Sequence, residues 1–143
     1  MRAAALDYGK VRIGVAVADD LGMLAHPRPA IDARNRKEAL VAIKALAKDE
    51  EIERFIVGLP LNMKGDATAS ADHALAFAQD VATATGLEIE MWDERLSTVE
   101  AQRQLHASGL NTKQSRSKID SASACVVLQA WLEGQSVRAR NGS

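Results

Sequence analysis

Cysteine occurs once in this chain, at Cys125, which excludes an internal disulfide and any cysteine cluster for zinc. A lone thiol fits a reducing compartment, where it serves as a small apolar core residue. Aromatic residues make up only 3%, too few for a platform on which single-stranded bases stack. Tyr8, Trp92 and Trp131 are expected to serve structure instead. Neither sign of charge prevails: 18 basic and 19 acidic residues leave a formal net charge of -1. No global positive field draws in nucleic acid, so any such binding must rest on local clusters. No apolar run approaches membrane-spanning length, and the stretch before Asp7 is too short and too early interrupted for a signal peptide. A soluble, cytoplasmic protein with no membrane partner is expected.

What the chain does have is material for a core, since 47% of its 143 residues are hydrophobic. One domain is expected over residues 1–136, with 137–143 as a disordered tail. The organising stretch is Leu6 to Asp19. Apolar runs at Ala3 to Leu6 and Ile13 to Ala18 read as two strands joined by a tight turn at Tyr8 to Lys10, where Gly9 is expected to take a positive φ. Gly14 leaves one point on the second strand open to close backbone approach. Alternation places Ala3, Ala5 and Asp7 on one face. A carboxylate thus ends a row of small residues, with room above it for a metal or a phosphate. The plainer reading of Asp7 is a turn residue bonded to its own backbone.

A third, edge strand follows from about Leu24 to Ile31, confined to an edge by Pro27 and Pro29. Ala39, Ile43, Leu46 and Ala47 recur at helical spacing within Lys37 to Glu50, with Asn35 as N-cap. Glu53 to Leu59 reads as a buried strand in parallel pairing. The loop Pro60 to Thr68 carries Asn62, Lys64, Gly65 and Asp66. A helix over Ser70 to Thr85 presents Ala71, Ala74, Leu75, Ala78 and Ala82 on one face and stops at Gly86. A strand over Leu87 to Trp92 ends at Asp93, Glu94 and Arg95. Ser97 and Glu100 are spaced as a capping box for a helix to Gly109. A basic link, Asn111 to Lys118, leads into a largely buried helix from about Ser117 to Glu133. Three strands in a meander followed by alternating helices and strands define an α/β fold with a mixed five-stranded sheet flanked by helices.

Acidic residues stand where strands end or a helix begins: Asp7, the pair Asp93 and Glu94, and Asp120. In open α/β sheets such ends are where sites gather. Asp120 shares a helix face with Ala124, Val127 and Trp131, which turns it inward, although Ser117 and Asp120 also match a capping box. Converging carboxylates are stable only when protonated or bound to a cation. Mg²⁺ or Mn²⁺ suits oxygen ligands, and such ions can activate water against a phosphodiester. If the last strand alternates through Glu90, Trp92 and Glu94, one face carries Glu94 and the other Asp93; Glu94 is the member expected to face the metal, with Asp93 fixing Arg95 or the loop.

LDYGKVRIGVAVAD, VGLPLNMKGD, DERLSTVEA and KIDSASACVVLQAWL, in this order and spacing, closely resemble the YqgF/RuvX family of Holliday junction resolvases and pre-ribosomal-RNA nucleases. The resemblance runs from about Arg2 to Glu133. It implies a ribonuclease H-like fold and a metal-dependent nuclease whose catalytic acids and metal ligands are Asp7, Glu94 and Asp120. Gly9, Asp93 and Thr98 are expected in support. Arg12, Lys64, Arg95, Lys113, Arg116 and Lys118 are candidates for contact with a phosphate backbone. The substrate implied is structured RNA, the 5′ end of pre-16S rRNA, acted on alone or within ribosomal particles, with branched DNA as second choice. A catalytically weak RNA- or ribosome-binding factor is the alternative from another class. No helix shows a clear exposed apolar stripe, so a monomer or weak dimer is expected.

Overall fold

The computed structural model describes residues 2–60, 68–96 and 121–140. Their elements follow as β1 (Ala3–Tyr8), β2 (Arg12–Ala18), β3 (Ala25–Asp32), α1 (Arg36–Asp49), β4 (Arg54–Leu59), α2 (Ala69–Thr85), β5 (Glu88–Asp93), a 3-10 turn (Glu94–Leu96) and α3 (Ala122–Arg140). The sheet order is β3-β2-β1-β4-β5. Short turns make β1, β2 and β3 an antiparallel meander, whereas α1 and α2 return the chain so that β4 and β5 add in parallel beside β1. This is the mixed five-stranded sheet that the sequence implies.

Alternation along the strands divides the core. Leu6, Val15, Val17 and Val57 face α1 and α2, where they meet Ala39, Ile43, Phe77 and Val81. Ala3, Ala5, Ala16, Ala18 and Ile56 face α3 and meet Ala124, Cys125 and Leu128. The alanines below Asp7 therefore admit a close helix; what they leave free is its approach to the sheet. Local signals set the helix ends. The Asn35 side chain accepts from the Glu38 N–H, Thr68 accepts from the Ala71 N–H, and Gly86 closes α2 in the left-handed region at φ 71°.

α3 is pinned by two fully buried polar side chains, Ser121 and Gln129. The β2–β3 ladder shifts register between Ile13 and Val15. There the Ser121 hydroxyl accepts from the Val15 N–H at 3.0 Å and donates to the Arg28 carbonyl at 2.7 Å. It supplies the bonds that an irregular ladder leaves unmade. Gln129 does the same at the β2–β3 hairpin, accepting from the Ala25 N–H and donating to the Met23 carbonyl, both at 3.0 Å.

Three local expectations are corrected. Gly9 does not take a positive φ; among the described glycines Gly22 and Gly86 do. Gly9 is required because an added Cβ would stand 2.7 Å from the Arg12 carbonyl oxygen, to which the Gly9 N–H donates at 3.0 Å. In α2 the buried face comprises Ala71, Ala74, Phe77, Ala78 and Val81, while Leu75 stays 40% exposed. The larger apolar area of Phe77, stacked on Tyr8 at 4.7 Å, decides the helix's rotation. Residues 137–140, expected in the tail, continue α3 to Arg140. The Ser97 to Gly109 helix, the basic link and the loop residues Asn62, Lys64, Gly65 and Asp66 lie outside the described residues. Among those described, no helix is long and apolar enough to cross a membrane.

Candidate active site

Strands β1, β4 and β5 are parallel neighbours, so their carboxyl ends lie side by side. Asp7 stands near the end of β1, opposite Gly14 of β2. On β4 the ladder places Ile56 beside Glu90 and Gly58 beside Trp92. Glu90 accepts from the Trp131 indole N–H of α3, and Trp92 packs on the same apolar cluster. The α3 side of β5 therefore carries Glu90 and Trp92, and Glu94, the first residue of the 3-10 turn, continues that row.

There the Glu94 side chain leans over Gly58. A Cβ on Gly58 would lie 2.6 Å from Oε1 and 3.3 Å from Cδ of Glu94. The bare backbone of β4 leaves the space in which Glu94 reaches Asp7, and the two carboxyl groups are hydrogen-bonded. Burial raises both pKa values. For Glu94, burial comes first, then the charge of Asp7, and together they push it up to about 7. Asp7 is raised by burial, with the Glu94 hydrogen bond opposing.

Asp93 points elsewhere. It accepts from the Arg95 backbone N–H at 2.9 Å and holds the Arg95 guanidinium at 2.6 Å. That hydrogen bonding draws its carboxyl below the usual range. Arg12 begins β2, exposed, two residues before Gly14 and on the same strand face. The structure thus brings Asp7 and Glu94 together and ties Asp93 to Arg95. Asp120, Lys64, Thr98, Lys113, Arg116 and Lys118 lie outside the described residues. Among the described residues no three acidic, histidine or cysteine side chains converge as a metal cluster. Gly58 escaped the sequence reading, although a glycine inside a buried strand is itself a signal that another group approaches closely.

A mixed sheet of this order, with the meander first and helices on both faces, is ribonuclease H-like. Two solved structures share it: Thermus thermophilus RuvC in complex with Holliday junction substrate, at a TM-score of 0.59 and 16% identity over 95% of this chain and 96% of that one, and the fowlpox virus Holliday junction resolvase, at a TM-score of 0.54 and 10% identity over 94% and 99%. Residues 1–134 match the RuvX family, described as Holliday junction resolvase. A protein of Anaeromyxobacter sp. (strain Fw109-5) is 44% identical over 135 residues, covering 94% of this chain and 98% of the relative. One of Halothermothrix orenii is 39% identical over 135 residues, covering 94% and 96%. Both bear the name "Putative pre-16S rRNA nuclease". The chain belongs to the RuvX family.

Proposed function

We propose that this protein is a divalent-metal-dependent nuclease that hydrolyses phosphodiester bonds at the 5′ end of pre-16S rRNA. The observation that carries this reading is the Asp7 and Glu94 carboxyl pair at the carboxyl ends of adjoining parallel strands. Two ionised carboxylates about 4 Å apart repel by about 4 kcal/mol at an effective dielectric near 20. The pair is stable only while it shares a proton or binds a cation. An all-oxygen donor set suits Mg²⁺ or Mn²⁺. Asp7 and Glu94 would hold the ion, with Asp120 as the third carboxylate of this reading. Such an ion, when bound, lowers the pKa of water and stabilises the charge on a leaving oxygen.

The protein's own groups do the rest. Gly58 keeps open the space that Glu94 occupies. The proton shared by Asp7 and Glu94 leaves so that both carboxylates can serve as ligands. Asp93 holds Arg95 beside them, and Gly9 keeps tight the turn after Asp7, with Thr98 a supporting residue. Arg12, Lys64, Arg95, Lys113, Arg116 and Lys118 contact the phosphate backbone. The products are a 5′-phosphate and a 3′-hydroxyl. The RNA substrate is supported by the names of relatives that match nearly the whole chain, and ribosomal particles are the setting it implies, in the cytoplasm.

A second reading, cleavage of branched DNA, is favoured by the description of the RuvX family. Labelled pre-16S rRNA fragment and a four-way DNA junction, each incubated with Mg²⁺ and with Mn²⁺, separate the two. Cutting of the RNA at its 5′ side supports the first reading, and cutting of the junction alone transfers the assignment to the second. If neither is cut, the nuclease reading fails and the chain is a binding factor.

A further inference from the structure

Basic residues gather on one rim of the sheet, next to the carboxyl pair, and acidic residues gather at the opposite end. At the end that holds Asp7, Asp93, Glu94 and Arg95, the neighbouring segments 8–12 and 32–38 form a rim that carries Lys10, Arg12, Arg34, Arg36 and Lys37 against Asp32 and Glu38. The fold locks these two segments together. Arg12 lies opposite Asp32 in the ladder, the Ala33 N–H donates to the Val11 carbonyl at 2.8 Å, and Arg36 reaches the Tyr8 hydroxyl at 3.3 Å. At the other end, Asp19, Asp20, Asp49, Glu50, Glu51 and Glu53 outnumber Arg2, Lys48 and Arg54. That end is equally well fastened, with the Glu53 N–H on the Arg2 carbonyl at 2.9 Å and the Arg2 guanidinium on the Ala18 carbonyl at 3.0 Å. A chain with a formal charge of -1 therefore presents a local basic rim beside the carboxyl pair and an acidic far end.

Of these cations, Arg34 and Arg36 form ion pairs within the fold, and Arg12 stands opposite Asp32 in the ladder. Arg34 pairs with Asp32 at 2.6 Å, and Arg36 pairs with Asp80 at 2.5 Å while covering the rings of Tyr8 and Phe77. Lys10 and Lys37 are exposed and form no ion pair among the described residues. Two exposed lysines with no ion pair among the described residues, on one rim with Arg12, have the chemistry of a phosphate-backbone contact.

We infer that a nucleic-acid strand leaves the carboxyl pair across this rim, its phosphates passing over Lys10 and Arg12 of the β1–β2 turn to Lys37 at the start of α1. The inference rests on the nuclease reading and names where its substrate lies. Strands lie about 4.8 Å apart, so the rim from β1 to β3 spans about 10 Å. At about 3.4 Å of rise per nucleotide that is room for about three phosphates. The acidic far end repels the same strand, so the field orients the substrate as well as attracting it. Lysine contacts to phosphate carry no base information, so this track adds affinity and register without sequence preference.

The test is binding of a short fluorescein-labelled RNA in metal-free buffer across a salt series, with the full chain and two double variants. Lys10→Gln with Lys37→Gln is expected to weaken binding several-fold and to lower the slope of log affinity against log salt by about 0.7 for each phosphate no longer neutralised. Lys44→Gln with Lys48→Gln, the same charge change farther along α1, is expected to bind like the parent. Cleavage by the parent is followed in parallel. A parent that cuts nucleic acid while the Lys10 and Lys37 variant binds with unchanged affinity and slope overturns the track alone. Equal weakening by both double variants reduces the effect to net charge and also overturns it. A parent that neither binds nor cuts defeats the nuclease reading, and the track with it.

Discussion

The carboxyl groups of Asp7 and Glu94 meet across the bare Cα of Gly58, one strand contributing the first acid, the turn after another the second, and the strand between them nothing but backbone. Their distance in sequence is large, but parallel pairing through β4 makes them neighbours.

Gly58→Ala should therefore act on the site and spare the fold. Its Cβ would stand 2.6 Å from Oε1 of Glu94, the end of a flexible side chain that can swing away. Gly58 is not among the positive-φ residues, so alanine fits the backbone, and an unchanged or slightly higher melting temperature is expected. Displacing a reacting carboxylate by about 1 Å can cost about 100-fold in rate. Thermal melting and a cleavage assay run side by side check both halves; a fully active Gly58→Ala would show that Glu94 does not need its observed position.

The pH dependence of metal-free stability follows from the same pair. Glu94 is raised from 4.5 to about 7 by burial and by Asp7. Between those values the folded state holds more protons than the unfolded chain, so stability falls as pH rises through the window. Asp7→Asn removes the charge that opposes Glu94, and its stability should fall less over the same range. Above pH 7, Mg²⁺ should restore stability to the parent and much less to Asp7→Asn. Melting curves with and without Mg²⁺ measure this; superimposable pH profiles for parent and variant would contradict it.

Ser121→Ala removes a buried hydroxyl that accepts from the Val15 N–H and donates to the Arg28 carbonyl, leaving both unsatisfied where the ladder is irregular. Each unsatisfied buried group costs about 1 to 3 kcal/mol, so a loss of about 2 to 6 kcal/mol is expected in urea unfolding. Because Ser121 directly follows Asp120 in the chain, cleavage should fall further than unfolding accounts for under conditions where the variant is folded. Stability within about 0.5 kcal/mol of the parent, the range of a neutral surface change, would show the two bonds to be dispensable.

Much of this architecture was legible in the sequence. The alternation of Ala3, Ala5 and Asp7, the Asn35 cap and the Gly86 stop are short-range signals, and each produced the element expected. The rotation of α2 was not legible, because counting alanines ignored the larger area that Phe77 buries against Tyr8. The role of Gly9 was misread for a related reason: only the folded turn brings the Arg12 carbonyl to where a Cβ would sit. In the site, alternation along β5 separates Glu94 from Asp93, and the structure puts Glu94 against Asp7 and Asp93 against Arg95. Gly58 could not be found from β4 alone, since its meaning depends on which two strands flank it.

The central claim, that Asp7 and Glu94 form the metal-binding pair of a nuclease, is tested most directly by cleavage of labelled pre-16S rRNA fragment with Mg²⁺ and Mn²⁺ by the parent, Asp7→Asn, Glu94→Gln and Asp93→Asn. Metal-dependent cutting by the parent, lost by at least about 100-fold in Asp7→Asn and Glu94→Gln and largely kept in Asp93→Asn, is the predicted result. Cutting that survives in Asp7→Asn or Glu94→Gln at the parent's rate would contradict it.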